Sequence, residues 1–175
     1  ELQEKLEGKK VRIVFPEAYD ERVLEAAVKL SATSYVQPVL VGKKEKVEEI
    51  AQPLFLNVSG IEFVDHENYE KYDEMVAKFV ERRAGKVNEE KARELLQDVN
   101  YFGTMLVYMG EVEGLVSGAI HSTGDTVRPA LQIIKTKPGV SRTSGAFIMS
   151  RNASRFIFAD CAINTTIDAQ GLAEI

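Results

Sequence analysis

The sequence is poor in residues that form disulfides or bind metals, with one cysteine and two histidines in 175 residues. A single cysteine cannot form an internal disulfide. One cysteine and two distant histidines do not give the ligand spacing of a zinc site, and no acidic cluster has the spacing of a calcium loop. Neither the glycine-rich dinucleotide fingerprint nor the Walker phosphate loop occurs. We therefore predict no metal site and no bound cofactor.

Long apolar runs and clustered basic residues are also lacking. No segment has the pattern of a membrane span or a secretory leader, so we expect a cytoplasmic protein without a membrane partner. Lysine and arginine number 22 against 27 acidic residues, a formal charge of -5, and this balance argues against a nucleic-acid partner. The 45% of apolar residues supports a core, in one sizeable domain or two small ones.

Glycine, serine and threonine concentrate in the later part of the chain. Beyond residue 98 lie 8 of the 12 glycines and 13 of the 17 serines and threonines. Small and hydroxyl-bearing residues suit loops that approach a ligand closely, because glycine removes bulk and hydroxyls donate hydrogen bonds to anions. They suit tight packing equally well, so composition leaves both interpretations open.

Short β-rich runs alternate with helical patterns in the first part of the chain. The predicted strands cover residues 11–15, 36–41 and 61–64, and the helices that follow them cover residues 20–30, 43–51 and 69–83. This alternation predicts an α/β domain with an open, mostly parallel sheet.

The later part continues the alternation and then changes pattern. We predict helices over 88–96 and 99–109, a fourth strand over 115–120, and a hairpin from the β-rich runs 140–149 and 155–159. Asp168 opens a last helix that has no C-terminal stop signal, and the first residue is not methionine. We expect a sequence cut at both ends.

The segment directly after the predicted fourth strand combines hydroxyl groups, a glycine and an arginine. A strand that turns into a helix places unpaired backbone N–H groups at the carboxyl edge of the sheet, where anions bind. Ser122, Thr123 and Thr126 can donate hydroxyl hydrogen bonds. Arg128 carries a planar fork suited to phosphate. The pattern also fits a surface helix that is capped by Thr123 or Asp125, with Arg128 in a salt bridge.

Five other side chains are weaker candidates. Arg82 and Arg83 end a predicted helix, where basic pairs ordinarily complement the helix dipole, although they could also reach an anion. His121 precedes the hydroxyl cluster and could contact a ligand or orient the turn, and His66 lies in a polar loop. Cys161 sits between apolar neighbours with no base nearby, which predicts a buried, inert thiol.

Several longer segments share a specific pattern. They read YFGTMLV at residues 101–107, GLVSGA at 114–119, STGDTVRPALQIIKTKPGV at 122–140, RIVFPE at 12–17, DER at 20–22 and FADCAIN at 158–164. Together they resemble the phosphate acetyltransferases, or phosphotransacetylases, a family whose outline the phosphate butyryltransferases share. The resemblance runs through the whole chain.

The resemblance implies reversible acetyl transfer between acetyl phosphate and coenzyme A, which is a substrate here. It implies a three-layer αβα domain at residues 1–142 and the start of a second α/β domain at 143–175, like the isocitrate and isopropylmalate dehydrogenases, with the active cleft between them. Family members are nearly twice this length and usually homodimers. Their later half supplies a serine–arginine pair and an aspartate proposed as general base, so we expect this chain alone to be inactive.

The resemblance also assigns roles within the motif. Arg128 matches the family's phosphate-site arginine, and Arg82 matches a second arginine for substrate or coenzyme binding, with Arg83 as the alternative. Ser122 and Thr123 match the hydroxyl turn that holds the phosphoryl group. The expected chemistry is direct attack of the coenzyme A thiolate on the acetyl carbonyl in a ternary complex, without an acyl-enzyme.

Two alternative functions stay open on the sequence. One is transfer of a butyryl group or another short acyl group, because pocket depth decides the chain length. The other is a non-catalytic domain that binds acetyl-coenzyme A as a regulatory ligand, like similar domains fused to malic enzymes. The presence of Arg128 and of the hydroxyl turn favours catalysis.

Overall fold

A computed structural model describes residues 8–175, and the chain up to Ile134 forms one unit built on a parallel sheet. Its strands are β1 (Val11–Phe15), β2 (Val36–Val41), β3 (Glu62–Val64) and β4 (Gly114–Leu115), in the order β3-β2-β1-β4. Its helices are α1 (Glu21–Ser31), α2 (Lys44–Ala51), α3 (Tyr72–Arg83), α4 (Glu89–Leu95), α5 (Val99–Tyr108) and α6 (Thr123–Ile133), with a short 3₁₀ turn at Gln52–Leu54. The predicted α/β class and parallel sheet are confirmed.

Two apolar clusters cover the two faces of the sheet, because successive strand residues point to opposite sides. Val14 joins the cluster that contains Phe79 of α3 and Phe102 of α5. Phe15, the next residue, joins the cluster that contains Leu24 of α1. Helices α1 and α2 therefore pack on one face and α3 to α6 on the other, which gives the expected three layers.

The helix starts follow from side chains that cap them. Asp20 accepts the backbone N–H groups of Arg22 and Val23 at the start of α1. Asn88 caps α4 and Asp98 caps α5 in the same way. Short polar side chains at this position satisfy N–H groups that have no partner within the helix.

The fourth strand is shorter than the prediction over 115–120. β4 ends at Leu115, and the N–H of Val116 makes the last bond to β1, at the carbonyl of Val14 (3.0 Å). Gly118 then adopts a φ of +109°, which favours glycine and turns the chain out of the sheet. The N–H groups that follow bind a carboxylate instead of a strand.

Helix α5 packs very closely against the ends of β1 and β4. A Cβ added to Gly103 would lie 2.9 Å from Cδ1 of Leu115 and 3.2 Å from Cγ of Pro16. Glycine therefore permits a close approach that a larger residue would prevent. This packing fixes the two loops that leave these strands.

Residues Lys135–Ile175 form a second unit with a hairpin of β5 (Ala146–Arg151) and β6 (Ser154–Ala159), followed by α7 (Ala169–Glu174). The predicted hairpin is confirmed, but the first strand begins at residue 146 and not at 140. The preceding backbone is bound by side chains instead, since Glu174 accepts the N–H of Ser141 and Asp160 accepts that of Gly145. The domain boundary at 142–143 and the dehydrogenase-like architecture stay predictions.

The hairpin is apolar on both of its faces. The cross-strand pairs are Phe147 with Phe158, Ile148 with Ile157, and Met149 with Phe156, and all six side chains are exposed. Cys161, which follows the hairpin, is half-buried, whereas a buried thiol was predicted. Its Sγ lies beside the Gly145 backbone.

Candidate active site at the carboxyl edge of the sheet

Two loops meet at the carboxyl edge of the sheet, residues 16–20 after β1 and residues 116–122 after β4. They begin side by side because β1 and β4 are adjacent and parallel. Crevices at this edge are where open parallel α/β sheets bind ligands. The second loop leads into α6, which carries the residues predicted to bind an anion.

Glu17 joins the two loops, and it was not among the predicted site residues. Its carboxylate accepts the backbone N–H groups of Gly118 at 3.1 Å and Ala119 at 2.8 Å. It also accepts those of Ile120 at 2.9 Å and His121 at 3.0 Å. Four consecutive N–H groups thus form an anion-binding nest that is filled by the protein's own side chain.

The buried carboxylate of Glu17 is charged. Burial raises the pKa of Glu17, but the N–H groups of Ile120 and Ala119 and the side chain of His121 outweigh it and lower the pKa to about 2. Only 2% of the Glu17 side chain is exposed. The loop is therefore held by a fixed negative charge.

His121 is bound to the same carboxylate, with Nδ1 2.7 Å from Oε1 of Glu17. Because an ionised carboxylate can only accept, Nδ1 carries the proton. Nε2 makes no hydrogen bond within residues 8–175, and 24% of the side chain is exposed. Glu17 thus orients the histidine that sequence reasoning placed beside the hydroxyl turn.

Ser122 caps α6 with a reciprocal pair of bonds. Its Oγ accepts the N–H of Asp125 at 3.2 Å and donates to the carboxylate of Asp125 at 2.6 Å. The predicted caps, Thr123 and Asp125, are wrong: Ser122 is the last extended residue before the helix, with φ -67° and ψ 160°. Thr123 is instead the first helical residue.

Arg128 folds back toward the start of α6. Its Nη1 lies 3.2 Å from Oδ1 of Asp125, and its Nη2 lies 3.8 Å from where a Cβ on Gly124 would be. The salt bridge that was the simpler interpretation is therefore present. The guanidinium also lies at the first turn of the helix, beside Gly124, with 57% of the side chain exposed.

The two threonines occupy different positions. Thr123 is exposed at the helix tip, and the N–H groups of Thr123 and Gly124 have no partner in the described part of the chain. Oγ1 of Thr126 is buried beside Gly118 and makes no hydrogen bond. The structure thus brings Ser122, Thr123 and Arg128 together, with Thr126 beneath the preceding loop.

Arg82 and Arg83 lie at the opposite end of α6. Arg82 donates to the carbonyls of Ile133 at 2.5 Å and Ile134 at 2.7 Å, and Arg83 donates to that of Gln132 at 3.1 Å. Eleven helical residues rise about 16 Å, so Arg82 is not close to the helix tip. Both arginines complement the dipole of α6 and not only that of their own helix.

Arg22 of α1 braces the loop from the other side. It binds both carboxylate oxygens of Asp20, at 3.0 and 2.8 Å, and donates to the carbonyl of Ala119 at 2.9 Å. A mostly apolar cleft of about 290 Å³ opens between this arginine, Glu17 and Val116. The cleft offers space next to the turn.

A sequence signal for Glu17 exists in retrospect. It follows β1 directly, at the edge where a glycine-bearing loop leaves the neighbouring strand. Buried carboxylates occur where several donors converge. The order of the strands, which the sequence pattern does not reveal, is needed to see that β4 lies next to β1.

The parallel sheet and the turn at α6 are features of one class of protein. Comparison with known proteins identifies that class. The family described as "Phosphate acetyl/butaryl transferase" matches residues 1–175, so the chain belongs to this family.

Among its relatives, the phosphate acetyltransferase of Staphylococcus aureus is 62% identical over 174 residues, which are 99% of this chain and 53% of that protein. The enzyme of Staphylococcus epidermidis is 60% identical over the same share. A solved phosphotransacetylase from Streptococcus pyogenes superposes with a TM-score of 0.93 at 51% identity, covering 99% of this chain and 53% of that one. The chain thus spans about half the length of the relatives it matches.

Residues 8–175 contain neither a candidate membrane span nor a candidate metal site. No helix there combines the length and apolar character needed to cross a membrane. No three His, Cys, Asp or Glu side chains in that range converge as metal ligands would.

Proposed function

We propose that this chain is the phosphate-site half of a phosphate acetyltransferase, which transfers an acetyl group reversibly between acetyl phosphate and coenzyme A. The names of its relatives support this reaction, and the match extends over the whole chain. The observation that carries the proposal is the first turn of α6, where the N–H groups of Thr123 and Gly124 have no partner in residues 8–175 and the Arg128 guanidinium lies beside Gly124.

The chemistry requires positive donors around two oxygens. A thiolate attacks the carbonyl carbon, negative charge grows on the carbonyl oxygen, and phosphate leaves as an anion. The dipole of α6 adds about half a positive charge at its N-terminus. Arg128 can exchange its exposed contact with Asp125 for a bidentate contact with the phosphoryl group.

The remaining roles follow the family resemblance. Ser122 holds the turn through its cap, and Thr123 supplies a hydroxyl, whereas the buried Oγ1 of Thr126 is closed to a ligand and its predicted binding role is withdrawn. Arg82, with Arg83 as the alternative, serves substrate or coenzyme A binding away from the helix tip. The serine–arginine pair and the base lie in the part of the relatives that this chain does not match. We propose a cytoplasmic, homodimeric complete enzyme and no acetyl-coenzyme A formation by this chain alone.

Titration with inorganic phosphate, followed by amide NMR of the 175-residue chain, tests the proposed site. We expect millimolar phosphate to shift the amide signals of Thr123 and Gly124. Arg128→Ala should weaken this binding about tenfold or more, because it removes a charge-assisted hydrogen bond. Arg155→Ala, which removes an exposed arginine from β6, should leave it unchanged. Amide signals that stay fixed would contradict the proposal.

A second test separates binding from turnover. We expect the chain to bind phosphate and yet form no acetyl-coenzyme A from acetyl phosphate and coenzyme A. Turnover near the ordinary enzyme value of about ten per second would show that this chain contains the complete catalytic machinery.

A further inference from the structure

His121 is a titratable side chain that the acetyl-transfer chemistry above does not use. It directly precedes Ser122, so its backbone is part of the turn at the tip of α6. Nδ1 is bound to Glu17, and Nε2 has no partner among residues 8–175. Nε2 is not buried, so a ligand can reach it.

Charged groups surround the Glu17–His121 pair from three elements. Glu17 lies in the loop after β1. Arg22 of α1 donates to the carbonyl of Ala119, in the loop that carries His121. Asp125 and Arg128 lie on the first turns of α6. The ring is therefore bound to one buried carboxylate, and its residue directly precedes the cap of the helix that carries the proposed phosphate site.

His121 lies next to the start of α6 because it directly precedes the cap residue Ser122. A hydrogen bond from Ser122 is the main cause that lowers the pKa of Asp125, and the charges of Arg128 and His121 add to it. Burial opposes this lowering. The imidazole and the donors of the turn thus share one electrostatic environment.

Transfer from acetyl phosphate needs a proton at the leaving oxygen. Attack by a thiolate breaks the bond between the carbonyl carbon and the bridging oxygen. Without a proton, the leaving group would be the phosphate trianion, a far stronger base than the thiolate. A general acid at the phosphate site removes this barrier, and in the reverse direction the same group must take the proton from hydrogen phosphate.

We propose that His121 carries this proton on Nε2, with Glu17 as its positioning residue. Imidazolium gives the proton to the bridging oxygen as the C–O bond breaks and the sulfur–carbon bond forms. The products are the thioester, hydrogen phosphate and neutral imidazole. In reverse, neutral Nε2 accepts the proton of hydrogen phosphate as its oxygen attacks the thioester carbon. The inference rests on the proposed function, because it deepens the chemistry of the same site.

Glu17 has two tasks in this arrangement. Its bond to Nδ1 fixes the tautomer that leaves Nε2 as the proton acceptor. Its buried negative charge stabilises the imidazolium that forms when Nε2 takes the proton, as the carboxylate does in a catalytic triad. Glu17 itself does not touch the substrate.

Nitrogen-15 NMR of the histidine side chains in the 175-residue chain tests the proposal. At mildly alkaline pH, where an ordinary histidine is neutral, we expect the free chain to carry the His121 proton on Nδ1. Inorganic phosphate should move Nε2 toward the position of a protonated nitrogen and should move the Thr123 amide. Inorganic sulfate has the same shape but no proton to share, so it should move only the amide. His66, packed against Phe102, serves as the unaffected internal control.

The outcomes separate this inference from the proposed function. If phosphate moves the Thr123 amide but not Nε2, His121 does not handle the proton and the proposed function stands. If phosphate moves neither, both are overturned. A proton on Nε2 in the free chain, or an equal response of Nε2 to sulfate, overturns the role of His121 alone.

Two variants test the pair. Glu17→Gln should abolish the fixed tautomer and the response of Nε2 to phosphate, while His66 stays unchanged. His121→Gln should weaken phosphate binding about tenfold relative to sulfate, since it removes one hydrogen bond to the ligand. An unchanged ratio of the two affinities overturns the proposal, and this measurement stands even if Glu17→Gln does not fold.

Discussion

Glu17 collects four backbone N–H groups and an imidazole from a loop more than 100 residues further along the chain. Each buried N–H would carry a free-energy cost if it lost its partner. The single carboxylate satisfies them together and thereby fixes where α6 begins. At this scale, a residue outside the predicted hydroxyl cluster determines the geometry of that cluster.

The charge of Glu17 gives stability that depends on pH. Its folded-state pKa, about 2, lies below the ordinary value of 4.5, so this stability is fully present above about pH 4.5 and is lost as the pH falls toward 2. The difference corresponds to roughly 3 kcal/mol. We expect the wild type to lose about that much more free energy of unfolding than Glu17→Gln between pH 5 and pH 2, measured by urea denaturation at each pH.

A matched control separates this effect from general acid denaturation. Glu49 is exposed, and its side chain makes no hydrogen bond or ion pair in the described chain. Glu49→Gln should follow the wild-type profile across the same pH range. Parallel profiles for wild type and Glu17→Gln would show that the charge of Glu17 does not stabilise the fold.

At the scale of elements, α6 is held at both ends by different side chains. Ser122 and Asp125 close its first turn, and Arg82 and Arg83 bind the carbonyls of its last turn. Arg82 also lies over the ring of Tyr108, 5.3 Å from its centroid. The helix that carries the proposed phosphate site is therefore attached to α3 and α5.

Removing Arg82 should loosen the far end of α6. Arg82→Ala deletes two hydrogen bonds to carbonyls and the contact with Tyr108, so we expect a loss of about 1 to 3 kcal/mol in the free energy of unfolding. Lys86→Ala, at an exposed position after α3, should cost almost nothing. Phosphate-induced shifts at Thr123 should persist in both, and their loss in Arg82→Ala would indicate that this arginine reaches the helix tip.

The local elements were predictable because their signals are contiguous in sequence. Asn88 and the acidic residues that follow it predict α4, whereas the caps predicted for α6, Thr123 or Asp125, lie one or three residues after the observed cap, Ser122. The predicted fourth strand extends too far because Val116 and Ile120 are β-branched residues that fit a strand pattern. The N–H groups of residues 118–121 bind Glu17, a contact that only the order of the strands creates.

Within the candidate site too, contacts between residues close in sequence were predictable and contacts between distant residues were not. Ser122 and Arg128 each lie three residues from Asp125, so their links to its carboxylate could be predicted from spacing. Arg82 and the carbonyls that it binds are more than 50 residues apart, as are Glu17 and its loop. Such contacts depend on packing between layers, which sequence periodicity does not encode.

At the scale of the whole chain, the two units differ in the exposure of their apolar side chains. The unit up to Ile134 encloses two clusters, whereas the β5–β6 hairpin exposes phenylalanine, isoleucine and methionine on both faces. Exposed apolar surface of this kind marks an interaction surface or an aggregation hazard. The relatives, nearly twice as long, have further chain that this sequence does not match.

The exposed hairpin predicts association of the isolated chain. We expect the apparent mass in sedimentation to rise with protein concentration. Replacing Ile148 and Ile157, a cross-strand pair that is about three-quarters exposed, with threonine should reduce this rise, because the hydroxyl replaces exposed apolar surface. Threonine keeps the β-branched shape, so the strands should be retained. Leu131→Thr, on α6, is the control at another exposed apolar position. Concentration-independent mass of the unchanged chain would contradict the prediction.

The nest around Glu17 has a consequence for amide hydrogen exchange. The side chain of Ile120 is 62% exposed. The amide hydrogens of an exposed loop ordinarily exchange fast, because the loop opens locally at little free-energy cost. The amides of Ala119 and Ile120, however, are bound to a carboxylate that is anchored beside the central strand. We expect these two amide hydrogens to exchange as slowly as those of the strands. Glu17→Gln should increase their exchange rates selectively. A surface loop would then share the protection of the core, and ligands would meet a turn that is already rigid.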